Sequence, residues 1–255
     1  MPRRSRQPLS GLFVTGTDTG VGKTLVAAGL AAWCRMQGID VGVMKPVATG
    51  GNTRDGRLVS DDAVTLAHAA GSTDPWPLVN PLCYRQPLAP YTAARLSRRP
   101  LRWPSLDRAV RAMAQRHRFL IIEGVGGLAV PLTRTDTVSD LIRRLGLPAL
   151  IVARLGLGTL NHTLLTVQQA GRDGVKVLGV LLNESEPPSR TGGARLAQRT
   201  NPTILAERLP VPLWGVLAYR RRCAALRPAP ATLARWVDAG VERRWLRWLQ
   251  QAAGA

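Results

Sequence analysis

At 255 residues the chain has room for one α/β domain with a sizeable core. A formal net charge of +19, from 35 basic and 16 acidic residues, raises nucleic acid or acidic membranes as partners. The arginines scatter in short clusters with no nucleic-acid fold motif, so neither partner is expected, and a GC-rich coding bias would explain the excess more simply.

Residues 1–10 are basic and polar and are expected to form a flexible tail, with 11–255 as a single P-loop α/β domain. Residues 12–15 are apolar and β-prone, and apolar residues recur at helical spacing from Thr24 to Trp33. Between them lies Gly16-Thr17-Asp18-Thr19-Gly20-Val21-Gly22-Lys23-Thr24. Strand, glycine loop and helix in that order form the setting of a phosphate-binding loop. Backbone N–H groups converge on an anion there, and the helix points its positive end at it. Lys23 would reach the outer phosphates and Thr24 would ligate Mg²⁺. The loop has five residues between Gly16 and Gly22, where the common phosphate-loop pattern has four.

Only three lysines occur against 32 arginines, and after Lys23 the next is Lys45. It follows a short strand, 41–44, and opens Lys45-Pro46-Val47-Ala48-Thr49-Gly50. Ligands of open parallel sheets gather at the carboxyl ends of strands, which would put Lys45 and Thr49 beside the phosphate loop. Asp62 stands at a helix start, either as a cap or as a Mg²⁺ ligand. The stretch from Pro75 to Pro104 is rich in proline and arginine and reads as irregular, with a short helix near 91–96. A strand at 119–122 runs into Glu123-Gly124-Val125-Gly126-Gly127, like a Walker B strand with Glu in place of Asp. Strands at 148–153, 175–182 and 211–217 follow. The first leads to a helix start at Gly158-Thr159-Leu160-Asn161, able to receive a carboxylate; the second ends at Asn183; the third leads to Ala218-Tyr219. Strands alternating with helices predict a doubly wound, mostly parallel sheet with helices on both faces. Residues 231–250 read as one terminal amphipathic helix carrying tryptophans and arginines; it could lie on a membrane surface, but packing on the sheet or at a dimer contact is expected. Cys34, Cys83 and Cys223 are odd in number and lack ligand spacing, which points to a reducing, cytoplasmic setting.

The long phosphate loop, the Lys45 motif, Asp62, the Glu123 motif, the Gly158–His162 segment and Asn183 resemble, in order and spacing, the dethiobiotin synthetases. The resemblance covers about residues 10–220. It implies a homodimeric cyclo-ligase that uses ATP, Mg²⁺ and CO₂ to close a ureido ring on 7,8-diaminononanoate. ATP contacts are then expected from Thr19, Gly20, Val21, Gly22, Lys23, Thr24, Leu25, Asp62, Glu123, Gly124, Val125, Gly126, Asn183, Ala218 and Tyr219. The metal would lie among Thr24, Asp62 and Glu123. Lys45, with Thr49, Gly158, Thr159 and Asn161, would hold the substrate, the last three from across a dimer interface. Lys23 and Lys45 would serve catalysis. The family often has a proline before the aromatic residue where Ala218-Tyr219 stands, and Ala89-Pro90-Tyr91 corresponds to a mid-chain substrate segment. The competing reading is a dimerising P-loop ATPase switch of the partitioning type, binding DNA or membrane. Its additional signature lysine would fall at position 18, which holds Asp18.

Overall fold

The computed structural model describes residues 9–187, 192–223 and 228–254; of the flexible tail expected over 1–10, positions 1–8 lie outside them, whereas Ser10 is held in place, its carbonyl accepting from Leu120 N at 3.0 Å and its hydroxyl donating to Ala252 O at 3.1 Å. Six strands make one parallel sheet in the order β10-β9-β8-β1-β7-β2: β1 (Gly11–Gly16), β2 (Val41–Met44), β7 (Phe119–Glu123), β8 (Ala149–Arg154), β9 (Val177–Asn183) and β10 (Leu213–Leu217). Every pairing within it is parallel. All six carboxyl ends therefore open on one edge, where the glycine loop follows β1.

Helices cover both faces because side chains alternate along each strand. Leu12 and Val14 of β1, with Val41, Ile121 and Val152, face a core shared with α1 (Lys23–Met36), α2 (Asp61–Ala70), α9 (Pro230–Gly240) and α10 (Arg243–Gly254). Phe13, Leu120 and Ile122 point the other way, onto α5 (Trp103–Ala114) and α6 (Val138–Leu145). Ile151, Val180 and Leu182 meet α7 (Thr159–Arg172) and α8 (Gly192–Arg208) on that same side. The three cysteines are buried and unpaired, and burial pushes the Cys34 thiol up to about 12, so it packs as an apolar group.

Two stretches differ from expectation. The 75–104 region is more regular than its composition suggests. It holds α3 (Trp76–Val79), a two-residue strand β6 (Leu82–Cys83) paired with β3 (Val47–Ala48), and α4 (Pro90–Leu96). Each of these helices begins with proline in its first turn, where the missing N–H costs nothing. A small antiparallel hairpin, β4 (Asn52–Arg54) with β5 (Arg57–Val59), precedes α2. The second difference is at the C-terminus, where the single helix expected over 231–250 is two, α9 and α10. Val241 between them is extended (φ −99°, ψ 132°) and bridges Gly215 antiparallel. The break covers part of the free edge of β10, which a continuous helix could not do.

The terminal tryptophans pack inward. Trp214 is fully buried, stacks on Trp245 with centroids 5.1 Å apart, meets Trp248 edge-on, and donates Nε1–H to Leu178 O. Trp214→Ala removes the centre of this cluster and should cost about 3–5 kcal/mol. A urea titration with an unchanged slope and a shift under 1 kcal/mol (on the order of a surface substitution) would show the cluster to be peripheral. Among the described residues no helix is long and apolar enough to cross a membrane.

An ionic network joins the lower ends of the sheet. His117 lies between Asp40 (Nδ1, 2.6 Å) and Asp74 (Nε2, 2.9 Å), and Asp74 also accepts from Arg116 and Ser72. Burial by itself would lower the imidazole pKa, but the two carboxylates outweigh it and hold it above the ordinary value. A raised histidine contributes stability fully below its unfolded pKa, about 6.5, and loses it as pH rises through the folded value. The stability gap between wild type and His117→Gln is thus expected to be wider at pH 6 than at pH 9. Equal gaps in urea midpoint at the two pH values would contradict a charged His117.

Candidate active site

The phosphate loop is fastened at both ends by backbone bonds. Thr17 N donates to Val152 O at 3.0 Å, and Val26 N donates to Gly22 O at 3.0 Å. Gly20 and Gly22 have φ of +76° and +93°, the left-handed region that a side chain would strain. Helix α1 begins at Lys23 with no side-chain cap and no acid in its first turn. Its first N–H groups are left for an anion. Helix α2 shows the contrast: Ser60 caps it, and Asp61 and Asp62 occupy its first turn. The cap is thus Ser60, which leaves Asp62 for other work.

Asp62, Lys45, Glu123 and Thr24 converge. Lys45 Nζ lies 2.8 Å from Asp62 Oδ2, 2.7 Å from Glu123 Oε1 and 2.9 Å from Gly124 O. Thr24 Oγ1 donates to the same Glu123 Oε1 at 2.8 Å. Lys45 and Glu123 are buried, whereas the Asp62 side chain is 47% exposed, so the cluster opens towards solvent at Asp62. Burial opposes the charge on Lys45, yet the Glu123 and Asp62 carboxylates more than offset it and keep the ammonium protonated. Burial works against Asp62 as well, and Lys45 more than reverses it, so Asp62 stays ionised. Glu123 goes the other way: burial pushes its pKa up further than Lys45 pulls it down, and Oε2 has no hydrogen-bond partner. The favourable pair is therefore Lys45 with Asp62, and Glu123 remains short of positive charge on one oxygen.

Lys23 is equally confined. Its Nζ donates to Asp18 O at 2.6 Å within its own loop. Desolvation lowers its pKa to about 8, with Lys45 adding a smaller repulsion against the pull of Glu123 and Asp62. Both ammoniums thus sense the same carboxylates and belong to one cleft.

Other expected residues fall into three groups. Asn183 ends β9 and donates Nδ2–H to Val21 O at 2.9 Å, so it holds the phosphate loop; its Oδ1 is buried without a partner. Val21 is fully buried, and Leu25 packs on the core beneath the loop. Gly124, Val125 and Gly126 continue from Glu123, and Gly124 N donates to Val14 O. Ala218 and Tyr219 follow β10, next to Asn183 on β9. Thr49 follows β3, four residues past Lys45. Gly158 (φ +88°) precedes α7, and Asn161 is exposed on it. Thr159 is buried, with its hydroxyl bonded to Thr163 Oγ1 at 3.2 Å, so its side chain is engaged inside the helix. No hydrogen bond or ion pair among the described residues links Gly158, Thr159 or Asn161 to the Lys45 cluster.

Two contributors had no signal in the sequence. Asn80, just after α3, donates Nδ2–H to Lys45 O at 2.7 Å, while Lys45 N donates to Val79 O. The expected irregular stretch therefore braces the lysine from behind. Arg154 ends β8 and reaches Asp18 of the phosphate loop at 3.2 Å.

A parallel sheet with a glycine loop into α1, a Lys-Thr pair at the helix start and a carboxylate closing the neighbouring strand defines a P-loop nucleotide-binding protein. Residues 10–227 match the family described as AAA domain. The ATP-dependent dethiobiotin synthetase BioD of Bacillus licheniformis is 44% identical over 211 residues, 82% of this chain and 85% of that protein. The enzyme of the same name from Anaeromyxobacter dehalogenans is 43% identical over 202 residues, 78% of this chain and 89% of its own. That of Thermodesulfovibrio yellowstonii is 37% identical over 217 residues, covering 82% and 89%. The chain belongs to the ATP-dependent dethiobiotin synthetase family. The MinC:MinD cell division complex of Aquifex aeolicus shares the fold, with a TM-score of 0.52 over 93% of this chain and 96% of that one, at 11% identity.

Proposed function

We propose that the protein makes dethiobiotin from 7,8-diaminononanoate, CO₂ and ATP, in the biosynthesis of biotin. The observation that carries this reading is the second buried ammonium, Lys45, in the cleft of the phosphate loop. A P-loop ATPase that only hydrolyses or switches has no need of it. Phosphoryl transfer to a carbamate does, because the acceptor is itself an anion.

In this reading one amine of the substrate takes up CO₂ and loses a proton, forming a carbamate. Lys45 holds that carbamate against the nucleotide and neutralises its charge. A carbamate oxygen attacks the γ-phosphorus and ADP leaves. The second amine attacks the carbonyl of the resulting anhydride, phosphate departs, and the cyclic urea is closed. Lys23 leaves Asp18 O for the β- and γ-phosphates, which also restores the solvation its ammonium lacks. Thr49 hydrogen-bonds the diamine or its carbamate. Gly158, Thr159 and Asn161 receive the substrate carboxylate through backbone N–H groups and the Asn161 amide, from the second subunit of a homodimer.

A divalent cation fits the cluster. Thr24, Asp62 and Glu123 offer a hydroxyl and two carboxylates with no His or Cys, the donor set of Mg²⁺ with nucleotide phosphates, and Glu123 Oε2 is unpartnered. When bound, Mg²⁺ would neutralise phosphate charge.

The likeness to MinC:MinD speaks to fold only, and Asp18 stands where the switch lysine would be. The test is ATP consumption by purified protein with labelled bicarbonate. Consumption strictly dependent on diaminononanoate, with label in a non-volatile product, is expected. Steady ATP hydrolysis indifferent to the diamine would end this assignment.

A further inference from the structure

The chain continues beyond the residues that match the family, and this continuation returns to the nucleotide edge of the sheet. Helix α9 lies on α1, and Val237 occupies the space over Gly29, where a Cβ would come within 2.6 Å of Val237 Cγ2. At its far end Gly240 sits directly on β10: an added Cβ would be 2.8 Å from Val216 O. Gly215 opposite has φ +142°, and a Cβ there would overlap Gly240 O. The helix is thereby seated on the last strand just before that strand ends.

From this seat Trp236, 7% exposed, donates Nε1–H to Ala218 O at 2.7 Å. From the end of β9, Glu184 Oε2 accepts from Tyr219 N at 3.0 Å, while Glu184 N donates to Leu217 O at 2.9 Å. Ala218 C=O and Tyr219 N–H are the two halves of one peptide unit. That unit is therefore gripped at both ends, by an indole on one side and a carboxylate on the other. A peptide free to rotate could offer a base either a donor or an acceptor. A peptide held at both ends keeps the loop in one presentation, and purines differ in their edge donors and acceptors.

We propose that Trp236 and Glu184 are positioning residues that set the Ala218–Tyr219 peptide, so that the C-terminal helices govern selection of ATP over other purine nucleotides. This rests on Ala218 and Tyr219, expected from the family resemblance to contact ATP, doing so at its base. Neither side chain need touch the nucleotide. Trp236→Phe keeps the ring in the core and removes only the N–H. Glu184→Ala removes the opposing anchor at a half-exposed site, without disturbing the core. The experiment measures kcat, KM for ATP and for GTP, inhibition by tripolyphosphate (which has no base) and the melting temperature.

For each variant KM for ATP should rise about fivefold, the effect of one lost hydrogen bond. The ATP-to-GTP preference should fall, while kcat and tripolyphosphate inhibition stay as in wild type. A Trp236→Phe enzyme that melts lower but keeps its preference has lost only packing, and that result overturns the proposal alone. Equal weakening towards ATP and tripolyphosphate does so too, since the effect would then pass through α1 to the phosphate loop. A wild-type enzyme that binds tripolyphosphate as tightly as ATP would remove the base-loop reading itself.

Discussion

The Lys45→Ala enzyme is expected to bind ATP and fail to turn it over. Lys45 Nζ makes three contacts, to Asp62, Glu123 and Gly124 O, and none of them is to the backbone of the loop that grips the nucleotide. In the proposed reaction its charge faces the carbamate and the equatorial oxygens of the transferred phosphoryl group. Loss of one such donor costs about 100- to 1,000-fold in kcat. ATP affinity rests instead on the backbone of the loop, Lys23 and the start of α1, which the substitution leaves in place. The same change removes the partner of two carboxylates, one of them buried. Breaking a buried pair costs up to about 3–5 kcal/mol. Glu123 blunts that penalty, because burial already pushes its pKa up and it can go neutral by taking a proton. Lys45→Met separates packing from charge: it fills the space left by the stem and should melt above Lys45→Ala, while both carboxylates still lack their cation. In both variants kcat should stay about 100- to 1,000-fold below wild type. If ATP affinity and kcat fall by the same factor in a variant that melts normally, Lys45 serves the nucleotide and its assigned role is wrong.

The second large effect is expected at Gly22. It combines φ +93° with contact to Asn183, whose Nδ2 the new Cβ of Gly22→Ala would overlap. Asn183 donates from that nitrogen to Val21 O, so the clash strikes the bond that fastens the loop to β9. Left-handed strain and the lost hydrogen bond together amount to about 2–4 kcal/mol. The loop relieves them by leaving the shape that phosphates require, so the cost appears as weaker nucleotide binding, on the order of 30- to 1,000-fold. Gly20→Ala is the comparison. Its φ is +76°, but nothing lies within 4 Å of an added Cβ, so only the strain applies, about 1–2 kcal/mol. Nucleotide titration by calorimetry should rank wild type, Gly20→Ala and Gly22→Ala in falling affinity. A reversed order of the two variants would show that Asn183 yields to the methyl and that the loop is softer than its geometry implies.

Much of this site was legible because it is local. A phosphate loop is one strand end, one turn and one helix start, all within nine residues, and its glycines and Lys-Thr pair answer to backbone geometry that neighbours in sequence create. Parallel strands add a long-range rule: their ends share an edge, which put Lys45, Glu123 and Asn183 at one cleft before any contact was known. Asp62 marks the limit of that rule. Cap and ligand look alike in sequence, and what separates them is that Ser60 already caps the helix, leaving Asp62 to meet Lys45.

The remainder depended on partners far apart in the chain. Asn80 behind Lys45, Arg154 against Asp18 and Trp236 on Ala218 are side chain to side chain or side chain to backbone contacts with no local pattern to announce them. The C-terminal segment shows the same divide. Its tryptophans and arginines at helical spacing announced an amphipathic helix but not what would cover the apolar face. Packing around Trp214, and the edge of β10 waiting for Val241, decided that it is two helices folded onto the sheet. Sequence by itself determined the six strands of the parallel sheet, the phosphate loop and the edge on which the chemistry gathers, because period and turn geometry are properties of neighbouring residues. Tertiary structure alone decided which buried charges pair and how the loops are braced, because those are set by distances between segments that the chain brings together only on folding.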